Sequence, residues 1–505
     1  MRRTWLLMTA LTVPGTVEGQ ATPAPEQPAA TLTLAEALQQ ARANNPLFLQ
    51  QRNNVGTARW ALRNAWGGLL PQATVSGGLD YTGSGEANFG QGFVRPTSAI
   101  MGSSYSAGLQ WNLDGRRLLA PSAERANLRA TDQEIENQDN SLKFSVTTQY
   151  LTALQAGAQV EVARQQVERQ QTFLDLANAK YRVGQGTLVE VRQAEVQKAQ
   201  ADVALLRAVQ AENEAKLELF RLMGVVPPVP VDRVALSDSF TVAEPAFRLD
   251  DLVRLAEAQN PALRALESRR RAASLGVKQA KSAFLPSLFV RAGWSGFTQQ
   301  QTDDGLLLRQ ALGSAQGAAA SCFTTDSIRA GAGLAPIGNC YAGAGLDPTG
   351  TQLLPSVRRS LLDANDKFPF DFSRQPFSAS LTISLPLFTG FGRSLRLQQA
   401  REAEQDAEEG ARDQALKVRT EVHARFLALQ TAFKAIGVQA QSREAARDQL
   451  RLAQDRYRLG SGTALEVADA QSAVTRAEGD YVNALYDYHK TLAALEAAVG
   501  RPLRP

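Results

Sequence analysis

The strongest constraint in this chain is that one segment occurs twice. Residues 181–191 read YRVGQGTLVEV, and 276 residues later residues 457–467 read YRLGSGTALEV. Asn45-Pro46 and Leu70-Pro71 also recur, but 215 residues later. The chain is therefore a tandem duplication, and the difference between 276 and 215 places about 61 additional residues in the second copy. Any fold of this chain must contain the same elements twice.

The first residues predict export. Arginines at positions 2 and 3 precede a short apolar run over 5–13, and small residues follow near 19–21. This pattern is typical of a signal peptide, which we assign to residues 1–21. Residues 22–30 are rich in proline and read as a flexible leader. No later stretch reaches the roughly 18 apolar residues that a transmembrane helix needs.

Composition excludes several functions. The 54 basic and 50 acidic residues are spread along the chain, so the net charge of +4 does not indicate a nucleic-acid partner. His423 and His489 have no ligand spacing, and no glycine-rich phosphate loop stands out. We therefore expect no enzymatic activity, no catalytic residues, no metal and no cofactor. In an exported protein, Cys322 and Cys340 are expected to form a disulfide, with two free thiols as the alternative.

Long stripes of apolar and small residues recur at intervals of three and four in both copies. One stripe ends near Tyr181 and resumes after the repeated turn, and the other ends near Leu459 and resumes at Val467. This spacing is typical of helices that pack as coiled coils. A helix of about 64 residues ending at Arg182 would be about 96 Å long at 1.5 Å per residue. This length predicts a rod or one helix in the wall of a tube.

Four segments alternate between apolar and small polar residues, and the one near 287–297 does so less cleanly because Phe289 and Phe297 fall on its other face. They form one pair at about 72–82 and 103–113, and a second pair at about 287–297 and 377–387. Such segments match a membrane β-barrel with a wet interior, and the alternative is a sandwich sheet with one solvated face. Four strands cannot close a barrel, and an open sheet cannot lie in lipid. The membrane interpretation therefore requires several chains to share one barrel.

These elements divide the chain into two repeats. The first covers residues 31–224 and the second 249–500, with a proline-rich linker at 225–248. Within the second repeat, residues 298–376 form an inserted loop between the two strands.

The repeated turns join the long helices, with tips near 184–187 and 460–463. Glycine suits the end of the first helix, and Thr-x-x-Glu is a capping box for the helix that returns. Helix capping alone is a sufficient account of both glutamates. A second hypothesis is that Glu466 and Asp469, which share a helix face, form rings of carboxylates around a symmetric mouth.

Together, the duplication, the paired strands, the long helices and the Tyr-Arg-hydrophobic-Gly-x-x-Thr turn resemble the TolC-like outer-membrane efflux protein family over roughly residues 31–500. The resemblance implies a mainly α-helical homotrimer. Each chain would contribute four strands to one 12-stranded barrel in the outer membrane of a diderm bacterium, continued by a long α-helical barrel through the periplasm.

The resemblance also implies partners and sites. The turns would be periplasmic tips that meet an adaptor protein docked on an inner-membrane pump. Glu466 and Asp469 occupy the places of the acidic residues that line the closed entrance, whereas Gln193 stands at the first-copy place of Asp469. This difference suggests that the second-copy hairpin forms the inner gate. The residues expected at the adaptor-contact tips are Arg182, Gly184, Gly186, Thr187, Arg458, Gly460, Gly462 and Thr463.

The sequence thus predicts a passive exit duct of a tripartite efflux or type I secretion system, gated at its periplasmic tip. The alternative is a periplasmic adaptor-like coiled-coil protein of such a system. Adaptors usually have one helical hairpin, whereas the pattern of this sequence predicts two.

Overall fold

The computed structural model describes residues 30–88 and 94–503. The predicted signal peptide and leader residues 22–29 lie outside the described residues. The chain forms two compact units. Of the described residues, 30–54, 133–264 and 413–503 form the helical unit, and 55–88, 94–132 and 265–412 form the sheet unit.

The elements follow one another in an order that repeats. The first copy contains β1 (Ala30–Leu32), α1 (Leu34–Asn44), α2 (Pro46–Gly67), β2 (Gln72–Thr82), β3 (Gly85–Asn88), β4 (Val94–Thr97), β5 (Ile100–Leu113), α3 (Gly115–Arg182) and α4 (Leu188–Met223). The linker contains β6 (Val234–Leu236). The second copy contains α5 (Leu249–Gln259), α6 (Pro261–Ser282), β7 (Ser287–Gln301), α7 (Asp304–Gly331), α8 (Cys340–Gly343), α9 (Pro355–Asn365), β8 (Ser373–Arg374), β9 (Ser378–Ser384), α10 (Gly392–Arg458) and α11 (Ala464–Val499). No described helix is apolar over a length that could cross a lipid bilayer.

The long helices are longer than the sequence predicts. Helix α3 has 68 residues and α10 has 67. Helix α3 begins at Gly115 and continues through Pro121, which lies in its second turn. The missing amide of Pro121 therefore costs one hydrogen bond near the end of the helix, where the loss is tolerated better than in the middle.

The helical unit is held by seams of small and apolar side chains. The second-copy stripe is buried at Val467, Ala470, Val474 and Ala477, where it packs against residues of the first copy. On α4, by contrast, apolar residues at the same spacing face solvent, because a single chain offers them no partner. These exposed residues are Val189, Val196, Val203 and Leu206.

The duplication is visible as a repeated hydrogen bond in the helical unit. The side-chain amide of Asn45 donates to the carbonyl of Leu222 at 2.8 Å, and that of Asn260 donates to Ala498 at 3.0 Å. In each copy this bond ties the end of a short helix to the end of the helix that returns from the turn. Both asparagines are buried, so leaving these amides unpaired would be costly.

The linker between the copies contains more order than expected. Residues 231–233 form a 3-10 turn, and β6 then pairs in parallel with β1 at the start of the first copy. The linker therefore adds a small two-stranded sheet to the helical unit.

In the sheet unit, the strands lie in the order β2-β5-β7, and β8 and β9 share the fourth position beside β7. All of these pairs are antiparallel. Strand β5 begins three residues before the predicted position 103, because Ile100 pairs with Gln301 of β7, which is itself longer than predicted. Strand β9 is shorter than the predicted 377–387. Pro386 shortens it, since proline has no amide hydrogen to donate.

The sheet has one apolar and one polar face, because residues paired across antiparallel strands lie on the same side. The apolar face includes Val75, Leu79, Tyr105, Leu109, Trp111, Leu288, Val290, Trp294, Leu381 and Ile383. The polar face includes Ser76, Ser104, Ser106, Gln110, Arg291, Ser295, Ser380 and Thr382, with Phe289 and Phe297 as exceptions. Much of the apolar face is open; Val75 is 84% exposed and Leu381 is 64% exposed.

The segment 298–376 is not a simple loop, which corrects the expectation from sequence. It contains α7, α8, α9 and β8. Asp303 caps α7 by accepting a hydrogen bond from Leu306, and alanine-rich sequence continues the helix. The many glycines and serines concealed this helix because they suggested a turn-rich composition.

Candidate functional site

The two hairpin turns have nearly the same backbone. Gly184 has a φ of 74° and Gly460 a φ of 79°, in the left-handed region that favours glycine. The amide of Gln185 donates to the carbonyl of Lys180 at 2.9 Å, and the amide of Ser461 donates to Arg456 at 2.9 Å. These bonds close the helix ends in the way that glycine-terminated helices commonly do.

The returning helices are capped differently in the two copies. Thr187 and Glu190 form a reciprocal capping box, with both side chains bonded to backbone amides at 3.3 Å. Thr463 accepts from the amide of Glu466 at 3.2 Å, but the Glu466 carboxylate lies 3.6 Å from the Arg456 guanidinium. The first glutamate is therefore part of the cap, whereas the second forms an exposed ion pair instead.

The other residues predicted at the tips lie around these caps. A Cβ added to Gly186 or Gly462 would lie 3.1 Å from the carboxylate of Glu190 or Glu466, so both glycines allow the glutamates to fold back. Arg182 and Arg458 are exposed, and Arg458 lies 3.8 Å from Asp455.

Tyr457 joins the two hairpins. Its hydroxyl donates to the carboxylate of Glu190 at 3.5 Å, and its backbone carbonyl accepts from the ammonium group of Lys180, which also lies 3.9 Å from its ring centre. Phe173 packs against the same ring. Burial, and then the negative charge of Glu190, raise the pKa of the Tyr457 phenol. The phenol therefore stays protonated and can donate to Glu190 at neutral pH.

The equivalent tyrosine of the first copy lies in a different environment. Tyr181 is 45% exposed, whereas Tyr457 is 2% exposed. Two nearly identical turn sequences thus place one tyrosine in the interior and one in solvent. The reason is that only the second-copy tyrosine packs against another hairpin of the same chain.

The predicted gate residues are accessible. Glu466 and Asp469 are both exposed and lie one turn apart at the start of α11. Among the described residues, Asp469 forms no ion pair, and Glu466 pairs only with Arg456. Two accessible carboxylates on one helix face can attract cations, and more strongly where several copies meet.

A buried ionic cluster lies farther along the same helices and was missed from sequence. The carboxylate of Glu478 is 3.1 Å from both the Arg169 and the Arg447 guanidinium groups, which come from α3 and α10. Glu478 is only 6% exposed. The available signal was its position, since Glu478 lies one turn after Val474 on the buried stripe of α11.

The structure pairs Cys322 with Cys340 in a disulfide inside the segment 298–376. Asp326 lies next to this bond and accepts a hydrogen bond from the amide of Ile337 at 2.6 Å. Together with Asp326, these cysteines are the only group in the described part of the chain with three close potential metal ligands. Because the sulfurs are bonded to each other, they are not available as thiolates.

Comparison with known proteins identifies the arrangement. A model of the family described as Outer membrane efflux protein matches residues 37–225 and 342–501, which include both hairpins and both turns. This chain belongs to the outer membrane efflux protein family. The predicted family, mainly helical fold and outer-membrane location with a large periplasmic helical part are thereby confirmed.

Individual relatives extend the match over nearly the whole chain. Outer membrane protein TolC of Escherichia coli is 21% identical over 473 residues, covering 92% of this chain and 82% of that protein. The structure of VceC from Vibrio cholerae matches with a TM-score of 0.67 and 18% identity, covering 93% of this chain and 97% of that one. The OprN outer-membrane channel matches with a TM-score of 0.68 and 17% identity, covering 94% and 91%. An outer membrane efflux protein of this fold is an outer-membrane channel.

Proposed function

We propose that three copies of this chain share one 12-stranded barrel and form the passive exit duct of a tripartite efflux or type I secretion system. The observation that carries this proposal is the open sheet. Strand β2 pairs only with β5 and β9 pairs only with β7 among the described residues, so both outer edges are unpaired. In lipid, unpaired backbone groups are too costly, and closure into a barrel removes them.

The number of copies follows from barrel geometry. Each chain supplies four sheet positions. Two copies would give eight strands, whose interior side chains about fill the barrel, whereas three copies give twelve and leave a lumen. The apolar face would contact lipid, and the polar face would line the lumen.

The helical unit supports the same assembly. The exposed stripe on α4 is suited to a coiled-coil partner that the chain itself does not provide. In addition, Tyr181 is open where its repeat equivalent Tyr457 contacts the other hairpin. If copies alternate around a ring, Tyr181 of one chain would contact Glu466 of the next, as Tyr457 contacts Glu190 within a chain.

We assign the gate to the second-copy hairpin at the periplasmic tip. Glu466 and Asp469 would form carboxylate rings that favour cations at the closed entrance. Glu190 is less suited to this role because its carboxylate is engaged by its own helix cap, whereas that of Glu466 is not. Opening would require the contacts between the hairpins to loosen.

The tips would also meet the partners. The exposed arginines and the turn glycines at both tips are the proposed contacts of a periplasmic adaptor, which would connect the duct to an inner-membrane pump. The chain has no recognisable nucleotide-binding motif, so the pump would supply the energy.

The test is ion conductance of the purified protein in a planar bilayer. We expect the wild type to give small, cation-favouring steps. The variant Glu466→Ala/Asp469→Ala should give larger steps or lose cation preference. As a reciprocal control, Gln193→Glu adds a carboxylate at the equivalent first-copy position and should change neither property.

Each result has a distinct meaning. If the pores are stable and the double substitution changes neither their conductance nor their cation preference, the exit-duct proposal stands and the gate assignment is wrong. Absence of pores, with a protein that needs no detergent, would reject the duct and favour the adaptor-like alternative.

A further inference from the structure

The segment 298–376 has no role in the duct proposed above, and its last part lies in an unexpected place. Residues 366–372, here called the return segment, leave α9 and run back along the sheet to β8. One contact anchors the start of this segment, and two further contacts show that it crosses the apolar face of the sheet and not the polar face.

The first contact fixes the start of the return segment. Asn365 is buried, and its side chain bonds both the amide and the carbonyl of Gln301, at 2.8 and 2.9 Å. It also donates to Asp304 at 3.0 Å. The end of α9 is therefore anchored at the end of β7.

The other two contacts lie on the apolar face. The hydroxyl of Ser103 donates to the carbonyl of Pro369 at 2.5 Å, and the ring of Tyr105 meets the edge of Phe372 at 4.9 Å. Gly296 faces Tyr105, and any side chain there would collide with the tyrosine ring. The return segment thus crosses from β7 to β5 on this face.

The return segment also pairs with a hydroxyl, that of Ser103, which the apolar face would otherwise present to lipid. Ser103 and Thr298 pair across β5 and β7 on this face, and each is only 3% exposed. An uncovered hydroxyl in hydrocarbon would be unfavourable. The pairing with Pro369 removes that cost for Ser103.

The level of these contacts corresponds to a membrane boundary if the sheet lies in a barrel. Ten residues separate Ser103 from Leu113 at the other end of β5. At about 3.4 Å per residue and a tilt of about 40°, they span about 26 Å along the membrane normal, close to the roughly 25 Å apolar band of such barrels. Ser103 therefore lies where the apolar band ends.

The outward side of the return segment is aromatic. Phe370 is 80% exposed, although it belongs to a segment that is held on the sheet by its neighbours. Lys367 and Arg374 flank it in the chain and form no ion pair among the described residues, and the nearby Asp366 and Asp371 are exposed. Exposed aromatic rings beside charged side chains are typical of the membrane interface.

We infer that the return segment is a membrane-interface element, in which Phe370 enters the headgroup region of the outer leaflet beside the barrel. The occupant is a lipid surface and not a second copy of the chain, because a neighbouring strand would pair in the plane of the sheet, at the β2 and β9 edges. This inference rests on the proposed barrel.

The test uses nitroxide labels in the full-length assembly, reconstituted in vesicles of phosphatidylethanolamine and phosphatidylglycerol. Both native cysteines are in the disulfide, so one introduced cysteine carries the label. The variants are Phe370→Cys, Leu381→Cys on the apolar face, and Ile328→Cys on α7, which is 69% exposed in the same insertion. Collisions with oxygen report lipid, and collisions with a water-soluble nickel chelate report solvent.

We expect the label at 370 to have a several-fold higher oxygen-to-nickel ratio than the label at 328. A ratio equal to that at 328 would overturn the inference, because position 370 would be in water. An immobile label that neither reagent reaches would also overturn it, by showing a protein neighbour. If the label at 381 is itself aqueous, the proposed barrel fails, and the inference with it.

Discussion

The hydroxyl of Tyr457, in the second hairpin, lies 3.5 Å from the carboxylate of Glu190, at the start of the returning helix of the first hairpin. This contact joins the two copies at their turns. Its geometry is at the long end of the hydrogen-bond range, so it is weak enough to break when the hairpins separate.

The first prediction concerns this contact. We expect Tyr457→Phe to increase the conductance of the channel, because the substitution removes the hydroxyl that reaches Glu190 but keeps the packed ring. Tyr486→Phe is a matched control on α11, since the Tyr486 hydroxyl makes no hydrogen bond among the described residues. Equal conductance in the two variants would exclude the contact as a restraint on opening.

A second prediction separates the two capping glutamates. Glu190→Ala should destabilise its turn by about 1–2 kcal/mol, because it removes a reciprocal cap and the Tyr457 contact. Glu466→Ala should cost less than about 1 kcal/mol, because it removes only an exposed ion pair. Hydrogen exchange of the amides in the first turns of α4 and α11 measures both effects. Equal loss of protection would contradict the asymmetry.

The buried cluster supports a third prediction. Glu478→Ala removes the buried carboxylate that Arg169 and Arg447 share. Because these two side chains are 20% and 47% exposed and water can solvate them, we expect a cost of about 1–3 kcal/mol, below that of breaking a fully buried pair. We expect a clear decrease in the thermal unfolding midpoint. Glu161→Ala is the control, since Glu161 is exposed and lies 4.0 Å from Arg164. A midpoint unchanged by both substitutions would show that the Glu478 cluster adds little to stability.

A fourth prediction is pH-dependent. Burial opposes ionisation of Asp139, but hydrogen bonds from Arg42 and Lys143 outweigh it, and the pKa of this carboxyl is lowered. A lowered pKa stabilises the fold above the unfolded value of about 3.9, and this contribution is lost as the pH falls through the folded pKa. Asp139→Asn should therefore be less stable than the wild type at pH 7, with the difference vanishing in acid. The thermal midpoint measured from pH 7 to pH 3 checks this, and a constant difference would contradict it.

The disulfide supports a fifth prediction. It closes a loop with a sequence separation of 18, for which chain entropy gives about 3 kcal/mol. Cys322→Ser/Cys340→Ser should make the insertion more sensitive to limited proteolysis, with conductance unchanged. Cleavage at the wild-type rate would show that the other contacts of the insertion suffice.

Some of the architecture could be read from sequence because it depends on local periodicity. Alternation of apolar and polar residues predicted the two-faced sheet, and Thr187 and Thr463 predicted helix caps, which the structure contains. Helix α7 was missed because its glycines and serines resemble those of a loop, although Asp303 marked its start.

Comparison of the two repeats could not predict which of their two equivalent tyrosines is buried. Tyr181 and Tyr457 have nearly identical neighbours in sequence, but only Tyr457 meets another hairpin of the same chain. Likewise, Glu478 looks like a charged residue on an apolar stripe until Arg169 and Arg447 are brought to it from two other helices.

The duplication, the long capped helices and the two faces of the strands follow from local sequence patterns, because each depends on residues close together in the chain. Which tyrosine is enclosed, how Glu478 is neutralised and on which face the return segment lies became evident from the three-dimensional packing. These properties depend on contacts between residues far apart in sequence, such as Ser103 with Pro369, and local patterns carry no information about such contacts.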